Sequence, residues 1–296
     1  MDNFIEILNM LRVKQWLKNL LVFFPIIVVP FELTIFMLID LISTFFIFSF
    51  ISSIIYIAND WADKHADAKH PEKKIRPFAS GKLSGIYAIS GIFFLCLSII
   101  ILISINNFSV YLLSLLLIYF IQNLAYNFFL KEVSIIEFLS VSSGYPYRVL
   151  GGGLAVGLIP SYWILITIFL AAIFVISLKR KHDIKLLLDK DSLRQSFKSY
   201  SLPFFDKIIS ISASAVVVSY LLFTLSDYAK EKFVNPLLPI SSLPLIYCIL
   251  RYLQISENQK TSHDPVSIIT KDIGLKVGII ITLVFVCISN FYFGTL

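Results

Sequence analysis

Asn59, Asp60, Asp63 and Asp67 crowd into the stretch Ile57-Ala58-Asn59-Asp60-Trp61-Ala62-Asp63-Lys64-His65-Ala66-Asp67. On a helix the three aspartates fall at i, i+3 and i+7 and share one face, which Asn59 extends through its i+4 spacing to Asp63. Carboxylates so close repel one another unless a cation lies among them. Hard oxygen donors suit Mg²⁺, which takes a few carboxylates and fills its shell with water and phosphate oxygens. The pattern therefore points to retention of a metal-bound diphosphate. Asn59, Asp60, Asp63 and Asp67 are the candidate metal ligands, and Asp60, Asp63 and Asp67 the candidate catalytic residues. The blander alternative is a solvated helix end whose acids pair with Lys64, Lys69 and Lys73. The position of the cluster, directly off a long apolar run, argues against it.

A basic loop, His70-Pro71-Glu72-Lys73-Lys74-Ile75-Arg76-Pro77, follows the acids. Its prolines stiffen it, and the planar fork of Arg76 suits phosphate oxygens. Arg148 lies inside another apolar run, and an ionisable group there is a functional candidate by default. Its alternative is an internal pair with Glu137 or a backbone carbonyl. Lys131 ends a further run, with Tyr126 and Asn127 about one turn before it. Lys179-Arg180-Lys181-His182-Asp183 follows a later run and is basic with a single acid. His65, His70, His182 and His263 match no zinc spacing. Cys96, Cys248 and Cys287 lie in apolar runs without a CxxC pair and read as packing residues.

These residues must be positioned by membrane helices. The chain has 296 residues, 57% hydrophobic and only 15% charged, too little polar surface for a soluble domain. Apolar runs near 16–36, 38–58, 85–105, 108–129, 133–157, 161–178, 207–226, 236–253 and 274–293 predict an all-α, polytopic bundle of nine transmembrane helices. The fifth is the least regular, because it holds Arg148 and Gly151-Gly152-Gly153. Every Lys and Arg except Lys230, Lys232 and Arg148 then falls on one side. The positive-inside rule places that side, with the N-terminus and both long polar loops, in the cytoplasm. The net charge of +6 gathers on this face, where it sets topology, attracts anionic membrane lipids and suits an anionic substrate. No segment is left for a separate nucleic-acid-binding domain.

The two longest polar loops follow the second and sixth runs. Their spacing suggests a repeat, runs 1–4 and 5–8 with the ninth appended, within a single domain covering 1–296. Duplicated halves of this kind tend to place a site between them, with the two polar loops facing one cytoplasmic mouth.

Asn59-Asp60-x-x-Asp63-x-x-x-Asp67 directly after the second run resembles the first acidic signature of the UbiA superfamily of intramembrane transferases. More narrowly, the chain is similar to the branch that moves phosphoribosyl groups to decaprenyl phosphate. The matching stretches are Arg12-x-x-Gln15-Trp16-x-Lys18-Asn19, Asn59 through Arg76-Pro77, Leu124-Ala125-Tyr126 with Leu130-Lys131, Ser142-Ser143-Gly144-x-x-x-Arg148-x-x-Gly151-Gly152, Lys179-Arg180, and Arg194-x-Ser196-x-x-x-Tyr200. They run through roughly the first 200 residues; the last third matches only as generic membrane helix. The resemblance implies a UbiA-like fold in a bacterial inner membrane with the active site facing the cytoplasm. It implies Mg²⁺-dependent transfer of 5-phosphoribosyl from phosphoribosyl pyrophosphate to a polyprenyl phosphate, releasing pyrophosphate. Lys18, Asn19, Lys73, Arg76, Tyr126, Lys131, Arg148, Lys179, Arg180 and Asp183 are then the substrate-binding set. Two departures stand out: Asp183 replaces a frequent Glu, and Lys181 replaces an aromatic residue.

Two other functions remain open. A prenyltransferase would ionise a prenyl diphosphate before an aromatic acceptor, but general members of the superfamily carry a second acidic motif where this chain has Lys179-Arg180-Lys181-His182-Asp183. A transporter would more often place its ion ligands at mid-membrane, and here the acids sit at the rim. The sequence leaves the oligomeric state open, a homo-oligomer included.

Overall fold

A computed structural model describes residues 2–28, 33–69, 73–187, 195–233, 237–258 and 265–291. His70, Pro71, Glu72, Arg194 and His263 lie outside the described residues. No strand occurs among those described. The helices in order are α1 (Asp2–Leu11), α2 (Phe24–Val28), α3 (Ile35–Ala62), α4 (Lys64–Ala68), α5 (Gly85–Ile105), α6 (Val110–Phe128), α7 (Ile136–Ala155) and α8 (Tyr162–Leu187). They continue with α9 (Gln195–Lys198), α10 (Leu202–Leu225), α11 (Asp227–Lys232), α12 (Ser242–Asn258), α13 (Pro265–Lys271) and α14 (Ile273–Ile288). Short 3₁₀ turns occupy Lys73–Ile75, Leu130–Glu132 and Leu238–Ser241, and a much longer 3₁₀ helix runs over Val13–Phe23.

Each of the nine apolar runs is mostly helical where it is described, and among the described residues six helices are long and apolar enough to cross a membrane: Ile35–Ala62, Gly85–Ile105, Val110–Phe128, Tyr162–Lys185, Leu202–Leu225 and Leu238–Glu257. The three others depart for local reasons. The first run is 3₁₀ up to Phe23 and then a five-residue α-turn containing Pro25, whose ring excludes the hydrogen bond to Leu21. In the fifth run α7 is an unbroken 20-residue helix, but Glu137, Arg148 and the glycines at 151–153 make it less apolar than the six. The ninth run, α14, is a shorter apolar helix of 16 residues.

The chain forms two compact units. The first comprises Met1–Phe24, Thr34–Phe128 and Tyr147–Leu158; the second comprises Pro25–Leu33, Phe129–Pro146 and Ile159–Leu296. The division cuts α7 between Pro146 and Tyr147.

In the first unit α3 is the central element. Its 28 residues span about 42 Å, longer than the roughly 30 Å apolar layer of a bilayer, so its last turns reach beyond that layer. The side chain of Thr34 caps its start, accepting from the Met37 amide. Leu41, Ile47, Phe48, Ile51 and Ile55 build a core with Leu112, Leu116 and Tyr119 of α6. Outward positions of α5, such as Ile86, Ile89 and Phe93, stay exposed, as lipid-facing positions do.

The long 3₁₀ helix packs on α3 through its own period. Three residues per turn stack Trp16, Asn19 and Val22 on one face. Trp16 Nε1 donates to Ser53 Oγ at 3.1 Å and Asn19 Nδ2 to Ser49 Oγ at 2.9 Å, while Val22 is fully buried against the α3–α6 core. Gly152 on α7 lies so close that a Cβ there would sit 1.9 Å from the Val22 carbonyl oxygen.

In the second unit α8 packs on α10 and α12 around Phe174, Phe205, Ile209 and Tyr252. Arg251 Nη2 bonds Asp272 Oδ2 at 2.8 Å, and Asp272 Oδ1 caps α14 by accepting from the Leu275 amide at 2.8 Å. The Arg251 guanidinium holds the Asp272 carboxyl below its ordinary value. Gly274 and Gly278 admit Tyr247 and Cys248 of α12, so this small-residue face of α14 is spent on packing within the unit.

Gly152→Ala tests the close approach. The added methyl meets backbone, not a flexible side chain, and should cost about 1–3 kcal/mol in unfolding of the detergent-solubilised protein. Gly91→Ala, whose methyl would meet the flexible end of Met10 at 3.1 Å and Ile57 Cδ1 at an ordinary 3.6 Å, should be close to neutral.

Candidate functional site

The acidic cluster straddles the end of α3. Asp63 ends that helix with φ −88° and ψ 3°, and α4 restarts at Lys64. Hydrogen bonding nonetheless runs through the break, with Asp63 N donating to Asn59 O at 2.9 Å and Asp67 N to Asp63 O at 2.8 Å. The helical phase survives, and Asp60 and Asp67 point the same way. Both are buried, at 3% and 4% exposure, and Asp63 is half-buried.

Two arginines close on them. Arg76 Nη1 sits 2.9 Å from Asp60 Oδ1 and 2.6 Å from Asp67 Oδ2, so one cationic nitrogen joins two carboxylates. Arg12 grips Asp60 from the other side, Nη2 at 2.7 Å and 2.8 Å from its two oxygens and Nε at 3.1 Å from Oδ2. Lys73 Nζ approaches Asp67 at 3.9 Å. Of the three lysines considered from the sequence as partners, Lys73 alone forms an ion pair among the described residues. Lys64 lies over the Trp61 ring at 3.6 Å, and Lys69 is exposed.

Arg12 was not among the candidate site residues, and the backbone explains the omission. It has φ 51° and ψ 45°, a left-handed conformation uncommon outside glycine and asparagine. The turn ends α1, starts the 3₁₀ helix, and carries the guanidinium to a carboxylate 48 positions away. Ser53 Oγ secures it by donating to the Leu11 carbonyl at 2.7 Å, and Arg12 also lies 4.6 Å over the Tyr56 ring.

Among the described residues no three Asp, Glu, His or Cys side chains converge as a metal cluster. Of the proposed ligands, Asp60 and Asp67 converge on Arg76. The pair still fits Mg²⁺, which is bound through one or two carboxylates plus substrate phosphates. The nitrogen of Arg76 already marks a point where two buried carboxylate oxygens meet a cation.

A second network lies deeper in the same unit. Arg148 is 7% exposed. Its Nε donates to Asn19 Oδ1 at 2.5 Å and its Nη2 to Tyr119 Oη at 2.8 Å. Tyr119 Oη and Ser52 Oγ are 2.9 Å apart, and Asn19 is held in turn by Ser49. Buried polar groups of this kind are tolerated when hydrogen-bonded. Glu137, the acid considered for Arg148, is bonded elsewhere.

In the second unit Glu137 is fully buried in the first turn of α7 and accepts from Arg180 Nη2 at 3.0 Å. Arg180 Nη1 also reaches Asp183 at 3.4 Å and lies 5.2 Å over the Phe197 ring. Ser196 Oγ donates to the Lys131 carbonyl at 2.9 Å, and the Ile135 amide donates to Tyr200 Oη. Ile135 has φ 68°, a strained value for a β-branched residue. Burial pushes the Tyr200 phenol up.

The structure thus brings together Asp60, Asp67, Lys73 and Arg76, then Asn19 with Arg148, then Arg180 with Asp183. Lys18 on the 3₁₀ helix, Tyr126 on α6 and Lys131 are half-buried, and Lys179 on α8 is exposed. Among the described residues Lys131 and Lys179 form no ion pair within 4.0 Å.

The Arg148 network gives a stability test. Asn19→Leu leaves a buried guanidinium short of an acceptor and should cost about 3 kcal/mol. The double variant Asn19→Leu/Arg148→Met removes both partners and should be more stable than that single one in chemical unfolding. A fully additive loss would contradict the network.

Residues 23–268 match the UbiA prenyltransferase family. The chain is 34% identical to a decaprenyl-phosphate phosphoribosyltransferase of Corynebacterium glutamicum, over 82% of this chain and 74% of that one. It is 28% identical to the protein of the same name from Mycobacterium tuberculosis, over 83% and 82%. Among solved structures, a UbiA homolog from Archaeoglobus fulgidus bound to GPP and Mg²⁺ superposes with a TM-score of 0.68 at 15% identity, covering 95% of this chain and 96% of that one. Digeranylgeranylglyceryl phosphate synthase gives 0.63 at 19% identity, covering 98% and 99%. With apolar helices throughout, an acid cluster at the end of α3 and a family match over most of its length, the chain belongs to the UbiA prenyltransferase family.

Proposed function

We propose that this protein transfers 5-phosphoribosyl from phosphoribosyl pyrophosphate to a polyprenyl phosphate and releases pyrophosphate. The observation that carries the proposal is the convergence of Arg12 and Arg76 on the buried carboxylates Asp60 and Asp67. Carboxylates suited to a hard cation stand beside two guanidinium forks suited to phosphate oxygens. The basic stretch Lys179-Arg180-Lys181 in place of a second acidic motif argues the same way, because donor and acceptor together carry three phosphate-bearing groups. Two relatives named for phosphoribosyl transfer to decaprenyl phosphate support this choice.

In this reading Asp60 and Asp67, with Asn59 and Asp63 beside them, would hold Mg²⁺, which when bound would supply charge neutralisation for a departing diphosphate. Arg12 and Arg76 exchange carboxylate oxygens for phosphate oxygens as the donor enters. They stabilise the leaving group while the ribose C1–O bond breaks and positive charge builds on the sugar. The acceptor phosphate is already anionic, so its oxygen attacks C1 without a general base. Arg148, held by Asn19 and Tyr119, is assigned to an anionic substrate group. Lys18, Lys131, Lys179 and Arg180 are assigned phosphate contacts of their own. The reading also includes nine spans, a cytoplasmic N-terminus and a reaction at the cytoplasmic face of a bacterial inner membrane.

The test is to incubate purified protein with Mg²⁺, labelled phosphoribosyl pyrophosphate and polyprenyl phosphate, and to follow label into lipid. Label should enter the lipid fraction, and Asp63→Asn should reduce turnover at least about 100-fold. Consumption of prenyl diphosphate with an aromatic acceptor, and no labelled lipid, would establish the prenyltransferase alternative instead.

A further inference from the structure

A cavity of about 320 Å³ opens within the second unit at one end of α8, α10 and α12. It lies on a different face of α8 from Arg180, whose partners are Glu137 and Asp183. Ile209 and Leu253 give it an apolar floor, and Lys181, Lys185, His182, Asp206 and Glu257 line the rest. The volume sits at the lower limit for small-molecule sites, enough for a compact polar group.

The charges are not all satisfied within the protein. Lys181 pairs with Asp206 across the α8–α10 contact. Among the described residues Lys185 and Glu257 have no ion-pair partner within 4.0 Å. One cation and one anion are thus left for a ligand. Lys185 and Glu257 also lie in the last turns of α8 (Tyr162–Leu187) and α12 (Ser242–Asn258). In a bilayer such span ends lie at the headgroup level.

We propose that this cavity binds a zwitterionic phospholipid through its phosphoethanolamine headgroup. Lys185 contacts the phosphate, Glu257 accepts from the primary ammonium, and the acyl chains leave along the apolar side of Ile209 and Leu253. An anionic glycerol headgroup satisfies Lys185 but gives Glu257 no cation. A choline headgroup satisfies the charge but donates no N–H bond. The site does not depend on the reaction proposed above.

The test uses the full-length protein in nanodiscs of equal parts phosphatidylethanolamine, phosphatidylglycerol and phosphatidylcholine with identical acyl chains. Lipid retained on the protein is read by native mass spectrometry. Phosphatidylethanolamine should be retained about fivefold over phosphatidylglycerol, the effect of one partly exposed ion pair. Glu257→Gln should bring that ratio to about one while phosphatidylglycerol still binds, and Lys185→Gln should weaken retention of both. Each change is at an exposed position, where substitution leaves folding intact. Equal retention by the unaltered protein, or an unchanged ratio in Glu257→Gln, would overturn the assignment. Displacement of the lipid by equimolar soluble glycerophosphoethanolamine would overturn its lipid character.

Discussion

A carboxylate buried at the end of an apolar helix is tolerated only if cations close on it. Asp60 is that carboxylate, and the first unit is arranged around neutralising it. Arg12 can reach it only because the chain turns through a left-handed residue between α1 and the 3₁₀ helix. Arg76 can reach both Asp60 and Asp67 only because helical phase persists across the break at Asp63. Removing either arginine would leave buried negative charge undercompensated, a loss of about 3–5 kcal/mol for a pair of this kind. The same ion pairs that hold the fold together thus keep two carboxylates and two phosphate-binding forks assembled at one point.

The 3₁₀ helix extends this constraint inward. Its threefold period lines up Trp16, Asn19 and Val22 against the serines and core of α3, and the central residue, Asn19, orients Arg148. Tyr119 and Ser52 complete the support from α6 and α3. The second unit solves the opposite problem at Glu137, where Arg180 neutralises an acid buried beneath the α7–α8 contact.

Much of this was legible in the sequence. Apolar runs marked the helices, and the i, i+7 spacing put Asp60 and Asp67 on one face, because both depend on local periodicity. Arg148 announced a need for polar partners by its apolar surroundings. Its partners were not legible, since Asn19 meets it only through a 3₁₀ phase that hydropathy does not distinguish from an α-helix. Arg12 was hidden for a similar reason: in the sequence it is one more basic residue before an apolar run, and its role follows from a single backbone angle. Hydropathy likewise cannot tell the 3₁₀ geometry of Val13–Phe23 from an α-helical span. The run at 16–36 contains Pro25, whose local effect on hydrogen bonding is invisible to a count of apolar residues.

The central claim is that Asp60 and Asp67 join Arg12 and Arg76 in one site for a metal-bound diphosphate. Electron paramagnetic resonance of Mn²⁺, used in place of Mg²⁺, tests it without reference to turnover. The full-length protein should bind Mn²⁺ more tightly when pyrophosphate is present, and Asp67→Asn and Arg76→Gln should each abolish that enhancement. Mn²⁺ binding that is indifferent to pyrophosphate, or equal in the variants, would contradict the account.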